Sequence, residues 1–373
     1  MKLPEEIELN ILNALGLSDL YTNPIIYQNK IEILRRQLIN LSQGFIKNQP
    51  VASKFPDAYF CFNFPQNFVK SIIIMKKLFS LYKILPSSEY KILDIGCGEG
   101  AGMFGLYYYL SKQIPGCKFF LKGVDINHTI IKRCELTAGW FKQTDYNFVI
   151  QVINEPAIKF INSDTEYYNF IVLANSITEI FPNEQIPLSF IQSLMSLLKE
   201  NGIIIIMEPA LKTQTRRLME LRNVLIRKKN CVILLPCLHN NDCPALKRKK
   251  EWCHQSIKWI PPEYLKIINQ KLFRKIEYLK FSYLIIANKE YETISGFYPV
   301  ISRLAIEKGR LRCLICTADG IIDLIRFNKE KSMKNQDFER ISMGDIIGID
   351  DIIKSREGIW KVSKNSVIKR LDF

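Results

Sequence analysis

A chain of 373 residues, 47% hydrophobic and 24% charged, exceeds what one small core encloses and is too apolar for extended disorder. Its formal charge of +15 is concentrated, because residues 212 to 275 hold sixteen Lys or Arg against four Asp or Glu. That +12 window fits a polyanionic partner, although a merely solvated lysine-rich surface has the same composition. No apolar run reaches the ~18 residues of a membrane span.

The first residues, MKLPEEIELNILNALGLSDL, carry Glu5, Glu6, Glu8 and Asp19 and lack a signal-peptide core, which argues against both secretory and mitochondrial targeting. The expectation is a cytoplasmic protein with no membrane contact, in which the ten cysteines are buried apolar groups, metal ligands or catalytic groups rather than disulfides. Residues 4 to 50 show apolar side chains at three- and four-residue spacing, which predicts helices. An aromatic-rich stretch follows and becomes helical up to the breaker PSSEY.

From Tyr90 the pattern changes to short runs rich in β-branched residues: YKILDI, FFLKGVDI, YNFVIQVI, NFIVLANS and GIIIIME. Helical segments near 100–113, 128–142, 184–199 and 212–229 separate or follow them, so the expected fold class is α/β with a parallel sheet covered on both faces. FRKIEYLKF and SYLIIANK read as two adjacent strands of an antiparallel hairpin added to it. From about residue 291 a small β-rich appendage is expected, with Asp319-Gly320 as a hairpin signal.

Between the first strand and the first helix of the sheet lies KILDIGCGEGAG, residues 91 to 102. Gly96, Gly98 and Gly100 permit positive φ and close backbone approach by a ligand. Asp94 at the strand end would favour a cationic or hydroxyl-bearing ligand over a phosphate, which departs from the dinucleotide fingerprint. This loop resembles the S-adenosylmethionine loop of class I, Rossmann-like methyltransferases. The resemblance implies that Asp125, in GVDIN, binds a ribose hydroxyl pair and that Asn175 and Ser176 border the pocket. Glu208 and Pro209 end a later strand, where the acid could equally cap a helix or face solvent. No Asn-Pro-Pro-Tyr or Asp-Pro-Pro-Tyr run marks base N-methylation, and the catalytic residues stay unassigned.

PCLHNNDCPALKRKKEWCH, residues 236 to 254, supplies Cys237, Cys243 and Cys253, with Pro236 and Pro244 beside the first two. Three thiolates suit a soft metal that needs a fourth ligand. His239, His254, Cys231, Cys313 and Cys316 are candidates, and Cys231 heads an apolar run expected to be a buried strand. Cys313 and Cys316, three apart on a strand, point to opposite faces, so only one can join. Spacing alone leaves zinc and an iron–sulfur cluster both open. Lys247, Arg248, Lys249 and Lys250 form a basic lobe between the second and third thiols that could meet RNA phosphates.

EPALKTQTRRLMELRNVL, LLPCLHNNDCPALKRKKEWCHQSIKW, KFSYLIIANK and RCLICTADG together resemble the methyltransferase-like assembly factors of the small ribosomal subunit, bacterial and mitochondrial, from about residue 64 to 330. The resemblance implies that Cys237, Cys243, Cys253 and Cys316 hold a four-iron four-sulfur cluster, and that the protein binds the small subunit and its rRNA as a monomer off the ribosome. It does not decide whether methyl transfer occurs. The pattern along the chain predicts a helical region 1–88, a methyltransferase-like domain 89–290 with the cysteine cluster at 237–254, and a β-rich region 291–373. A small-molecule methyltransferase with a structural zinc is the alternative.

Overall fold

The computed structural model describes residues 1–46, 54–84, 86–142, 147–182, 184–229, 231–288, 291 and 295–371. Three helices lead: α1 (Glu5–Ala14), α2 (Gln28–Ile46) and α3 (Pro56–Leu81). Helix α3 begins earlier than the sequence pattern predicts, running through the aromatic stretch with Pro65 inside it. Tertiary packing outweighs the lost N–H there: Phe60, Phe64 and Phe68 stack in series and Trp140 closes on the first two. SIIIM, of strand length by composition, is part of this helix.

The sheet is built from β1 (Glu89–Ile95), α4 (Ala101–Gln113), β2 (Lys118–Asp125), α5 (His128–Lys142), β3 (Phe148–Asn154), α6 (Ala157–Ser163), β4 (Tyr168–Ala174), α7 (Ile177–Ile180), α8 (Leu188–Ser196), β5 (Leu198–Pro209) and α9 (Lys212–Lys228). There follow β6 (Val232–Leu235), β7 (Gln255–Lys258), α10 (Glu263–Asn269) and β8 (Tyr278–Ala287). The strand order is β3-β2-β1-β4-β5-β8-β6, with β7 also on β8. Strands β1 to β5 are parallel, whereas β8 is antiparallel to β5, β6 and β7.

The expected hairpin of FRKIEYLKF and SYLIIANK is therefore corrected to one continuous strand, β8. No turn residue interrupts it, and both of its edges are paired. Alternation along the strands divides the core into two layers. Ile92, Leu121, Val172 and Ile205 face α3, α4 and α5, while Leu93, Val124, Ile171 and Ile204 face α6, α8 and α9. The N-terminal helices share the first layer, and buried Arg35 of α2 donates from Nε to Ile268 O at 2.9 Å and from Nη2 to Ile267 O at 2.6 Å, satisfying the end of α10.

Residues beyond 296 form β9 (Phe297–Pro299), β10 (Ala305–Glu307), β11 (Arg310–Thr317), β12 (Gly320–Phe327), β13 (Ile346–Asp350), β14 (Ile353–Arg356), β15 (Ile359–Val362) and β16 (Val367–Arg370). They make a five-stranded sheet, β10-β11-β12-β15-β14, and a three-stranded sheet, β16-β13-β9. Their own core gathers Val300, Cys313, Ile315, Leu324, Phe338 and Trp360. The β11–β12 hairpin closes on the pair Thr317–Gly320, so Ala318 and Asp319 form its two-residue turn.

Helices α3 and α4 cross closely at Gly105, where an added Cβ would stand 2.6 Å from Phe68 O and 2.8 Å from Ser71 Cβ. The obstruction is partly backbone and cannot rotate away. Gly105→Ala should lower stability by ~1–2 kcal/mol, overpacking outweighing the better helix propensity of alanine. A downward shift of the urea midpoint checks this.

Candidate functional site

The order 3-2-1-4-5 reverses between β1 and β4, and ligands of open α/β sheets lie outside the carboxyl ends of the strands at such a switch point. The glycine loop leaves β1 there, and Asn175 and Ser176 leave β4 beside it. Gly96, Gly98 and Gly100 have φ of 69°, 55° and 83°, all in the left-handed region that favours glycine. At Gly96 the constraint is double, because a Cβ would meet Ser176 Cβ at 2.4 Å. Ser176 Oγ in turn donates to Ile95 O at 2.6 Å, fastening the β4 loop to the β1 loop.

Asp94 is fully buried. Its Oδ2 accepts from the Met103 N–H at 2.9 Å, whereas Oδ1 has no hydrogen-bond partner. Burial pushes its carboxyl up to about 7, against the Met103 bond and with a smaller push from Asp125. Asp125 accepts from Gly98 N–H at 2.9 Å and from Asn127 N–H at 2.8 Å, so it orders the loop with the same carboxylate expected to meet a ribose. Asn175 holds φ of 63°, rare for a residue with a Cβ, and its buried Oδ1 is likewise without a partner.

Glu208 is settled as a helix cap. Its Oε1 accepts from the N–H groups of Ile177 and Thr178 at 3.1 and 3.4 Å, and its Oε2 accepts from Thr178 Oγ1 at 2.7 Å. Burial raises it to about 7. The sequence pattern did not single out Glu99, which lies buried in the glycine loop with its carboxyl pushed up by burial and drawn down by Arg133.

The cysteine loop forms the second centre. Cys237, Cys243 and Cys253 line one small cavity, partly open to solvent, together with Met219, Arg222 and Tyr283. Cys316 arrives from β11, and its thiol is pushed up by burial and by repulsion from Cys237, Cys253 and Cys243 in that order. Cys313 points the other way, into the core of the C-terminal sheets. Cys231 stands half-buried just before β6, against the second core layer, and so falls outside the strand expected to bury it. His254 stacks on Trp252 with centroids 5.5 Å apart. His239 reaches the centre as a neighbour, its Nε2 3.5 Å from Cys316 Sγ. Among the described residues no group of three or more His, Cys, Asp or Glu side chains is arranged to hold a metal ion.

Several cations of the +12 window are structural. Arg216 donates to the carbonyls of Leu246, Arg248 and Glu251, tying down the basic lobe. Arg217 bonds Phe181 O at 2.5 Å, Arg227 pairs with Asp242, and Arg222 is buried within the cysteine loop. Lys247, Arg248, Lys249 and Lys250 are all exposed. Arg222 was findable: it occupies the buried stripe of α9 with Thr215, Leu218, Met219 and Leu225, a register where a cation requires partners.

The strand order with its antiparallel β8, the glycine loop and the acids ending β1 and β2 define a class I S-adenosylmethionine-dependent methyltransferase-like fold with an inserted cysteine loop and a β-rich C-terminal region. Within that class, the chain belongs to the family described as mitochondrial small ribosomal subunit Rsm22, whose model matches residues 57–347. That description lends no support to the cytoplasmic placement expected from the sequence.

Among solved structures, a putative class I S-adenosylmethionine-dependent methyltransferase from Listeria monocytogenes is 15% identical, with a TM-score of 0.37, over 60% of this chain and 59% of that one. Magnesium protoporphyrin IX methyltransferase from Synechocystis PCC 6803 is 13% identical over 60% of this chain and 79% of that one, TM-score 0.35. The YcgJ protein from Bacillus subtilis is 12% identical over 60% and 99%, TM-score 0.33. No curated protein matches significantly. No described helix is long and apolar enough to cross a membrane.

The raised carboxyl of Asp94 has a measurable consequence. A buried acid favouring its neutral form contributes no penalty below the unfolded value near 4, and costs stability increasingly as pH rises through about 7. The thermal midpoint of the unliganded protein should therefore fall between pH 4 and 7 more steeply in the natural chain than in Asp94→Asn. Melting curves across that range check the difference, since Glu208 contributes alike to both proteins.

Proposed function

We propose that the protein is an RNA-binding factor of the small ribosomal subunit in which a pocket for S-adenosylmethionine and a four-iron four-sulfur cluster are built into one methyltransferase-like fold. The observation that carries this reading is the meeting of four thiols from two parts of the chain beside an exposed basic lobe whose backbone Arg216 fixes. The family's description as a small-subunit protein supplies the partner.

Two observations support a place for the cofactor at the glycine loop. Asp94 Oδ1 and Asn175 Oδ1 are buried acceptors without donors, suited to the ammonium and hydroxyl groups of S-adenosylmethionine. A Cβ on Gly98 would meet only Ile130, at 3.9 Å, so the loop leaves room beside its backbone. Asp94, Gly96, Gly98, Gly100, Asp125, Asn175 and Ser176 would hold the cofactor, which when bound supplies an electrophilic methyl group. The chain's own part in methyl transfer would be positioning, with Ser176 and Asp125 keeping the two loops in register and the rigid glycine backbone limiting the approach of an acceptor. Small-subunit RNA is the acceptor class this reading names.

The resemblance of the cysteine loop to that of the small-subunit assembly factors favours a cluster over zinc, between which spacing alone does not choose. Cys237, Cys243 and Cys253 line one cavity, and Cys316 comes near enough from β11 for their charges to act on its thiol. Cys237, Cys243, Cys253 and Cys316 would be the cluster's ligands.

Protein purified without oxygen should be brown and contain iron and sulfide in equal amounts, with Cys316→Ser losing most of both. A colourless preparation with stoichiometric zinc would overturn the cluster. Small-subunit rRNA should bind with an affinity that falls steeply with salt, and replacing Lys247, Arg248, Lys249 and Lys250 by Ala should reduce the slope of log K against log salt by up to about 3. Salt-independent binding, or an unchanged slope, counts against the lobe as the RNA contact.

A further inference from the structure

The turn between α10 and β8 inverts the usual placement of side chains. Phe273 is 87% exposed, the most exposed large apolar side chain among the described residues, whereas its neighbours Leu272 and Arg274 are half-buried. Phe273 also holds φ of 51°, a left-handed conformation that is rare and strained for a bulky residue. Asn269 keeps the turn in this shape. Its carbonyl accepts the N–H groups of Leu272 and Phe273 at 2.9 and 3.1 Å, its Oδ1 accepts the Arg274 N–H at 3.2 Å, and its Nδ2 donates to Arg274 O at 2.8 Å. Arg274 is anchored in turn, donating from Nη2 to Leu38 O at 2.8 Å with its guanidinium over the Phe62 ring. Both neighbours are tied to the body of the protein, and the ring between them is held in solvent.

The surface beside this ring is cationic. Lys271 and Lys275 flank it, both exposed, and Glu277 is the one acid between Lys271 and Lys280. Beyond the turn, the register of the β7–β8 ribbon sets Lys258 opposite Tyr278 and Ser256 opposite Lys280. Alternation places these four on the face that Ser282 and Leu284 continue beneath the cysteine loop. Lys258 and Lys280, both exposed, are diagonal neighbours on that face, ~7–8 Å apart. Arg303, from the C-terminal region, stands 5.3 Å over the Tyr278 ring. Phe273 precedes Tyr278 by five residues, so at most ~18 Å of chain separates the exposed ring from this row of charges.

The combination selects a class of partner. The core of a protein–protein contact is depleted of charge and a membrane-binding face needs a broad apolar stripe, and one ring set among lysines offers neither. An aromatic platform beside a basic track is the arrangement that holds an unpaired polynucleotide, bases on the ring and phosphates on the cations. In a duplex the bases already stack on one another, which leaves the ring nothing to cover. We propose that Phe273 stacks on a base of single-stranded RNA whose phosphates follow Lys275, Lys280 and Lys258 toward the cysteine loop. The inference rests on the RNA-binding reading above and adds to the lobe at 247–250 a second contact, one that selects unpaired RNA.

The test compares the full-length protein and its variants on a labelled oligouridine of about 12 nucleotides and on an RNA duplex of the same length. Phe273→Leu, which keeps the apolar bulk and the backbone conformation, should bind the single strand about tenfold more weakly, with the duplex affinity, the thermal midpoint and the slope of log K against log salt unchanged. Phe273→Trp should bind like the natural protein, and its added indole fluorescence should be quenched by the single strand. Lys258→Ala combined with Lys280→Ala should reduce the single-strand slope by about 1.4, since each phosphate contact contributes about 0.7. Undiminished single-strand binding by Phe273→Leu overturns the inference, as does an equal loss on the duplex, or binding to phosphatidylserine vesicles that Phe273→Leu abolishes while RNA binding persists. If the lobe variant weakens RNA binding and Phe273→Leu does not, the RNA-binding reading stands and this inference falls. A natural protein that binds neither these RNAs nor small-subunit rRNA overturns both.

Discussion

Pairing along β8 is the constraint on which the rest of the molecule depends. One edge of this strand is bonded to β5 from Ile203–Ala287 to Pro209–Phe281, continuing the parallel sheet. Its other edge takes β6 at the Ala287 end and β7 at the Tyr278 end. The whole cysteine loop thus leaves and re-enters the sheet on one edge of one strand, and Ser282, Tyr283 and Leu284, between the two pairings, form the cavity floor beneath the thiols. Hydrogen bonds of the sheet, rather than the loop's own composition, bring residues 237 and 253 together. Shifting β8 by one residue would exchange its two faces and disturb both core layers at once.

Buried cations are unusually prominent around this edge. Lys77 and Arg222 are fully enclosed, and burial lowers Lys77 to about 7. Each reaches carbonyls belonging to loops that lack regular structure: Gly344 for Lys77, His239 and Asn241 for Arg222. Guanidinium and ammonium groups substitute here for a backbone ladder, satisfying carbonyls that no strand or helix pairs. The basic character of residues 212 to 275 consequently has two physical meanings. One set of side chains points inward to organise the loop, and another, the lobe at 247–250, remains in water.

Much of this was legible from the residues. The five parallel strands and helices α4, α5 and α9 follow from period-two and period-3.6 patterns interrupted by turn residues, and the glycine loop falls at the strand–helix junction where positive φ is required. Alternation required Cys313 and Cys316 to face opposite ways, and the structure sends Cys313 to a core. The misread hairpin at 273–288 has a plain cause: Lys280 and Ser282 interrupt an apolar run without being turn residues, so composition suggested a break where both edges of the strand are in fact occupied. The early start of α3 escaped notice because Pro65 and five phenylalanines argue locally against a helix and only packing argues for it. What no local pattern could reveal is convergence across distance, as in the reach of Lys77 to Gln255 or of Asn241 Nδ2 to Ala318 O at 2.9 Å.

The division of the four thiols between two parts of the chain bears on the order of events during synthesis. Cys237, Cys243 and Cys253 belong to a loop bounded by β6 and β7, yet β8, which fixes that loop, is made only afterwards, and β11 with Cys316 is made later still. A chain stopped before β11 contains every strand of the methyltransferase-like sheet, lacks Ile346, which the first core layer also buries, and carries three of these four thiols. The fourth sulfur is therefore a report, written into the topology, that translation has passed through the start of the C-terminal sheets.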